Sequence, residues 1–173
     1  EQKGVAYLLE AAVKILKQHA NTVFLIVGDG ELKPDLERLT ARLDLGTHVR
    51  FTGFRKDVPN ILNLLDVYVL PSLFEGTPLG LLEAMLVQKP VVATLVASNG
   101  DIVEDRISGR LVEPKNSDQL ADAISDLLAN PGMAKKMGER ARERVLTHFS
   151  LDRMIADYDA LYSELLSAHH NKD

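Results

Sequence analysis

The 173-residue chain contains no cysteine. Disulfides, thiolate metal sites and cysteine nucleophiles are therefore excluded, and the composition suits the cytoplasm. No run approaches the roughly 20 apolar residues of a membrane span, and the first residues do not read as a signal peptide. There is no excess of positive charge: the net charge is −5, which argues against nucleic acid as the main partner. It leaves room for a local basic pocket around a phosphorylated small molecule. Gly28-Asp29-Gly30 lacks the third glycine of a dinucleotide fingerprint, and no Walker lysine motif occurs. His19, His48 and His148 are scattered, while His169 and His170 sit in a polar tail. No pair has ligand spacing on one helix, so no metal site is expected. Internal repeats and low-complexity tracts are also lacking.

What is present reads as one soluble globular domain, long enough to bury a core, with 46% hydrophobic and 26% charged residues. Residues 5–19 place Leu8, Leu9, Ala12, Val13 and Leu16 at helical spacing. The run ending at Gly28 reads as a fully buried strand. LKPDLERLTARLDL is a second amphipathic helix, HVRFTGF a second strand, and residues 57–64 a short helix. DVYVLPS is a third strand stopped by Pro71, followed by a helix over 77–87, a strand at PVVATL and a short one at GRLVEP. Beyond Pro114 the pattern is helical over 117–129, 132–147 and 151–167, with 168–173 as a tail. Buried strands alternating with helices predict an α/β fold, a doubly wound parallel sheet with a helical C-terminal tail. Ligands in such sheets lie beyond the carboxyl ends of the strands. Asp29 and Asp101 read as turn or cap residues near those ends. The last helix puts Leu151, Met154, Ile155, Tyr158, Leu161, Tyr162 and Leu165 on one face, expected to look into the core.

The stretch LPSLFEGTPLGLLEAML, residues 70–86, carries the chemistry. Thr77 is a good N-cap, and Pro78 suits the first helical position because its missing N–H would have no intrahelical partner. The N–H groups of Leu79, Gly80 and Leu81 then point out of the helix start. Together with the positive end of the helix dipole they form an anion site, which Gly76 and Gly80 leave open to approach. Glu75 precedes the cap, and Glu83 lies roughly 8 Å along the helix. A nucleoside diphosphate sugar fits this layout, with Glu83 on the ribose hydroxyls, the diphosphate at the helix start and Glu75 facing the sugar. The plain alternative is a loop acid at Glu75 and a helix-surface acid at Glu83, since charged residues mostly sit in water. Against it stand the embedding of Glu83 in LGLLEAML and a helix start that follows a strand's carboxyl end.

FEGTPLGLLEAMLVQKPVVAT resembles the paired-glutamate signature of retaining nucleotide-sugar glycosyltransferases of the GT-B fold, in the large family-four, group 1 type. KGVAYLLEA, FLIVGDGE, VRFTGF, LLDVYVLPS, VEDRISGRLVEP and HFSLDRMIADYDALYSELL fall in that family's order and spacing. The resemblance implies the Rossmann-like, donor-binding half of a GT-B enzyme transferring a hexosyl group to a saccharide or lipid-linked acceptor. It implies catalytic roles for Glu75, beside the anomeric carbon, and Lys3, neutralising the leaving diphosphate. It further implies Glu83 on the ribose, the amides of Leu79 and Gly80 on the diphosphate, and Phe54, Arg55 and Val58 near the base. Gly28, read from the residues as a strand-to-helix turn, would then line the donor cleft. The chemistry is consistent, because a fixed ammonium stabilises charge building on a departing phosphate. Read without the resemblance, Lys3 is a solvated residue near a helix start.

The resemblance also sets expectations outside this chain. No cofactor or metal is implied; the donor is a UDP-, GDP- or ADP-sugar. The family pairs the lysine with an arginine a few residues upstream and adds an N-terminal acceptor domain; neither that position nor that domain falls within these residues. The first strand is expected to belong there too, as is any peripheral contact with the inner membrane face. The last helix crosses back towards that domain in the family, which leaves part of its apolar face open to self-association. LVASNGDIVED departs from the family pattern, with Ala97-Ser98 and Gly100-Asp101 where a Gly-Gly turn, a proline and a glutamate are usual. A nucleotide-sugar epimerase of similar fold and a degenerate nucleotide-binding module are the alternatives.

Overall fold

The computed structural model describes residues 2–96 and 98–170, with side chains through residue 167. Helix α1 (Val5–Gln18) buries Leu8, Leu9, Ala12 and Ile15, the predicted apolar face. It leads into β1 (Phe24–Val27), α2 (Lys33–Arg42) and β2 (Val49–Gly53). Then come α3 (Val58–Leu64), β3 (Tyr68–Leu70), α4 (Leu79–Leu86) and β4 (Val91–Thr94). A one-turn helix, α5 (Asn99–Ile102), precedes β5 (Arg110–Val112), and α6 (Ser117–Ala129), α7 (Pro131–His148) and α8 (Leu151–His170) close the chain. Every strand pair is parallel, as βα alternation with helical crossovers requires.

The strands form two sheets, of order β1-β2 and β3-β4-β5, where the sequence pattern suggests a single one. A cleft of ≈ 1230 Å³ separates them, and residues of both β1 and β3 line it. This explains why β1 is not the fully buried strand its apolar run predicts: only Phe24 is buried, and Val27 is 40% exposed. β4, with neighbours on both sides, is buried at all four positions. Two apolar layers cover the strands. One joins α1, α6 and the α7 residues Ala134 and Met137 to β1, β2 and β4. The other packs α3, α4 and the Ala141 and Val145 end of α7 on β3 and β4.

Three local expectations change. Helix α4 starts at Leu79 rather than at residue 77, because Pro78 has ψ 84, outside the helical region. α5 lies where the sequence reads as loop; a single turn around Gly100 is too short to show periodicity, and it is held by burial of Ile102 and Asn99. The apolar stripe of α8 does not face the core: Leu151, Tyr158, Tyr162 and Leu165 are each more than half exposed. Periodicity identifies the helix but not what, if anything, covers its apolar face.

Helix α7 crosses the turn after α4 at Gly138, where a Cβ would overlap the Gln88 carbonyl. Overpacking at such a contact costs about 1–3 kcal/mol. Gly138→Ala is therefore expected to lower the unfolding free energy by about that much in urea denaturation. Gly132→Ala, at an open position in the first turn of α7, should be neutral or stabilising by up to about 1 kcal/mol.

Candidate functional site

The loop after β3 is anchored by the first residues of the chain. Leu73 N–H donates to the Gln2 carbonyl at 2.7 Å, and the Gln2 side-chain amide donates to the Phe74 carbonyl at 3.2 Å. Gly4 follows with φ 60, and a Cβ there would overlap the Pro71 carbonyl. Only glycine meets both demands, a left-handed backbone and contact with another strand's end. This places the Lys3 ammonium 2.8 Å from Glu75 Oε1. The same carboxylate oxygen accepts from Ser72 Oγ at 2.6 Å. Glu75 is 8% exposed, so an unpaired charge would be costly there; the Lys3 and Ser72 bonds offset that cost. The two residues to which the resemblance gives catalytic roles, 72 positions apart in sequence, are thus in direct contact.

A second set of bonds holds the loop from the β4 side. Thr94 Oγ1 donates to the Ser72 carbonyl at 2.5 Å, and Asn99 Nδ2 donates to the Thr94 carbonyl at 2.9 Å. Ser98 Oγ donates to the Gly76 carbonyl. The segment that departs from the family pattern therefore braces the glutamate loop directly. Asn99 is fully buried, and its Oδ1 has no partner among the described residues.

At the start of α4 the expected cap is absent. Pro78 takes the N-cap position, with no side-chain cap bond. Leu79 N–H donates to the Thr77 carbonyl at 3.0 Å and Leu81 N–H to the Pro78 carbonyl at 3.0 Å. Of the three amides predicted to be open, those two are engaged in the tight entry turn, because Thr77 and Pro78 fold back as acceptors. Gly80 N–H has no partner among the described residues and stays available to a ligand. Beneath this turn lies Tyr68: a Cβ on Gly80 would stand 2.9 Å from the Tyr68 hydroxyl. Burial pushes the Tyr68 phenol up to about 12, with the negative charges of Glu75 and Glu83 adding to the shift.

Lys3, Glu75, Thr77, Pro78, Leu79, Gly80, Glu83 and Val58 all line the cleft between the sheets. Gly76 lies between Glu75 and Thr77 in the chain but is not among the lining residues. Gly28, with φ 120, pairs its N–H with the Gly53 carbonyl at 2.9 Å at the far strand ends. Phe54 is 74% exposed nearby, and Arg55 holds Asp57 through two bonds of 2.8 and 2.7 Å. These three stand beyond the cleft walls. Sequence reasoning missed Ser72, Tyr68 and Thr94. Ser72 had a signal, a hydroxyl three residues before Glu75 directly after a strand; Tyr68 and Thr94 read as ordinary strand residues.

Two outcomes follow from this geometry. Gly4→Ala should cost at least about 2 kcal/mol, from strain and overlap together, measured by denaturant unfolding. It should also abolish the chemical-shift coupling between Lys3 Nζ and the Glu75 carboxylate. As pH rises past 10, an unfolded tyrosine ionises while folded Tyr68 stays protonated until about 12. The fold therefore keeps this contribution below pH 10 and loses up to about 2–3 kcal/mol between 10 and 12. Tyr68→Phe should lack that alkaline loss in unfolding midpoints measured across the same range.

The chain is similar to known proteins along most of its length. The family model for glycosyl transferases group 1 matches residues 1–144. An alpha-D-kanosaminyltransferase of Streptomyces kanamyceticus is 32% identical over 166 residues, covering 95% of this chain and 43% of that protein. The chain thus spans less than half the length of that relative. A solved structure of a S. aureus TarM mutant with fondaparinux, α-GlcNAc-glycerol and UDP has a TM-score of 0.89 at 28% identity, covering 94% of this chain and 33% of that one. The C-terminal domain of a group 1 glycosyl transferase (LpcC) from Francisella tularensis has a TM-score of 0.79 at 30% identity, covering 87% of this chain and 81% of that one. The fold is that of a GT-B glycosyltransferase domain, and the chain belongs to the group 1 glycosyl transferases.

Proposed function

We propose that this chain binds the nucleotide-sugar donor of a retaining glycosyltransferase, which moves a hexosyl group to a saccharide or lipid-linked acceptor. One observation carries the reading: Glu75 and Glu83 line one cleft on either side of the α4 start, with Lys3 bonded to Glu75. The diphosphate takes the Gly80 N–H and the positive end of α4. Glu83, one turn down the helix, accepts from the ribose hydroxyls, and Glu75 stands by the sugar. When the bond from the anomeric carbon to the diphosphate oxygen breaks, the electron pair leaves with the diphosphate. The Lys3 ammonium, already fixed by Glu75, stabilises that charge without reorganising. The TarM complex with UDP supports the class of donor. The acceptor domain, and any contact with the inner face of a cytoplasmic membrane, belong on this reading to a part of the enzyme outside these residues.

UDP, GDP and ADP titrated into the 173-residue chain are expected to shift the amide signals of Gly76 to Gly80 at millimolar concentration or below. Silence of that loop towards all three nucleotides sinks the reading. Glu83→Gln removes a charged acceptor and should weaken nucleotide binding about 10-fold or more. Glu75→Gln should leave nucleotide affinity within about twofold while lowering transfer by the intact enzyme about 100-fold, the scale of losing one transition-state electrostatic contact.

A further inference from the structure

On the reading that puts Glu75 beside the donor sugar, we propose that Ser72 is its positioning residue. The buried hydroxyl holds the carboxylate still while the Lys3 ammonium turns to the diphosphate. Glu75 Oε1 accepts from Ser72 Oγ at 2.6 Å and from Lys3 Nζ at 2.8 Å. Glu75 Oε2 has no partner among the described residues. It is not sealed off either: the sealed, unpaired side-chain atoms among those residues are Asn99 Oδ1 and Arg110 Nε. Glu75 lines the cleft, so Oε2 is the oxygen it presents there. Pinning Oε1 limits where the planar carboxylate can put Oε2.

The two donors on Oε1 differ in how firmly they are held. The Lys3 side chain is 62% exposed and ends a flexible four-carbon stem, so its ammonium is a movable charge. Negative charge building on a leaving diphosphate attracts that ammonium away from Glu75. Ser72, by contrast, is fully buried and its backbone is clamped from β4. Thr94 Oγ1, at the end of β4, donates to the Ser72 carbonyl at 2.5 Å, and Asn99 Nδ2 of α5 donates to the Thr94 carbonyl at 2.9 Å. Thr94 and Asn99 are themselves buried. A chain of buried bonds therefore runs from α5 through β4 to Ser72 and ends on the carboxylate. Without the Ser72 hydroxyl, the one remaining partner of Glu75 is a mobile ammonium, and a residue 8% exposed has little water to replace the lost bond. Packing alone does not call for that hydroxyl, since alanine fits the same space. Catalysis does, because displacing a reacting group by about 1 Å costs about 100-fold in rate.

Two measurements test the assignment. In the 173-residue chain, three-bond NMR couplings report the Glu75 side-chain rotamer without any nucleotide. Lys3→Met is expected to keep the single rotamer of the unaltered chain, because Ser72 still holds Oε1. Ser72→Ala is expected to average it over two or more rotamers, although Lys3 remains. A single rotamer in Ser72→Ala, or an averaged one in Lys3→Met, overturns the proposal. In the intact enzyme, Ser72→Ala should lower kcat about 10-fold while the KM for the donor stays within about twofold. Placed on Glu75→Ala, where there is no carboxylate to hold, the same change should cost less than about twofold more. An equal loss on both backgrounds assigns the effect to general damage to the fold and overturns the positioning role. Glu75→Ala without effect on transfer sinks the donor-site reading instead, and the rotamer couplings still decide what Ser72 holds.

Discussion

Residues 2–4 and residues 71–75 are laid against each other by two Gln2 hydrogen bonds, the Lys3–Glu75 ion pair and the packing of Gly4 on the Pro71 carbonyl. The rest of the site takes its position from this seam. It places the ammonium on the carboxylate, sets where α1 begins, and aims the loop that feeds α4. The β4 side reinforces it through Thr94, Asn99 and Ser98, so the glutamate loop is gripped from both directions. A loop bearing a buried carboxylate is otherwise a poor candidate for rigidity, because ordering it costs conformational entropy with little apolar burial in return.

The electrostatics follow from the same seam. Glu75 is buried beside one cation and one hydroxyl, while Glu83 lies further along α4 on the cleft wall. Two negative charges near a helix start would repel an incoming diphosphate. The Lys3 ammonium cancels one of them, and the α4 dipole with the Gly80 N–H favours the anion. Tyr68 sits under this turn as a neutral phenol held there by burial. It supplies a polar edge without adding charge, and its hydroxyl is why residue 80 has no room for a side chain.

Much of this was legible in the residues. Helical spacing gave α1, α6 and α7 to within one residue at most ends, because each buries an apolar face at regular intervals. The β runs were found from continuous apolar stretches bounded by glycine or proline. The start of α4 was misplaced by two residues because Thr77 and Pro78 satisfy the local cap rules, while the chain uses their carbonyls for a tight turn instead. α5 was missed because one turn has no period to detect. The spacing of Glu75 and Glu83 pointed to a ligand cleft, but nothing local marked Ser72, Thr94 or Tyr68 as its supports.

The sequence by itself determined the helices and strands other than α5, and that two acids flank a helix start. Those properties depend on neighbours within a few residues, whose backbone preferences and apolar period act locally. Only the tertiary structure decided that Lys3 meets Glu75 across 72 positions, that β1 and β3 face each other over an open cleft, and that the α8 stripe points to solvent. Each of these depends on which surfaces the folded chain brings together. A residue pattern states that a face is apolar, and the packing of the whole chain settles what that face meets.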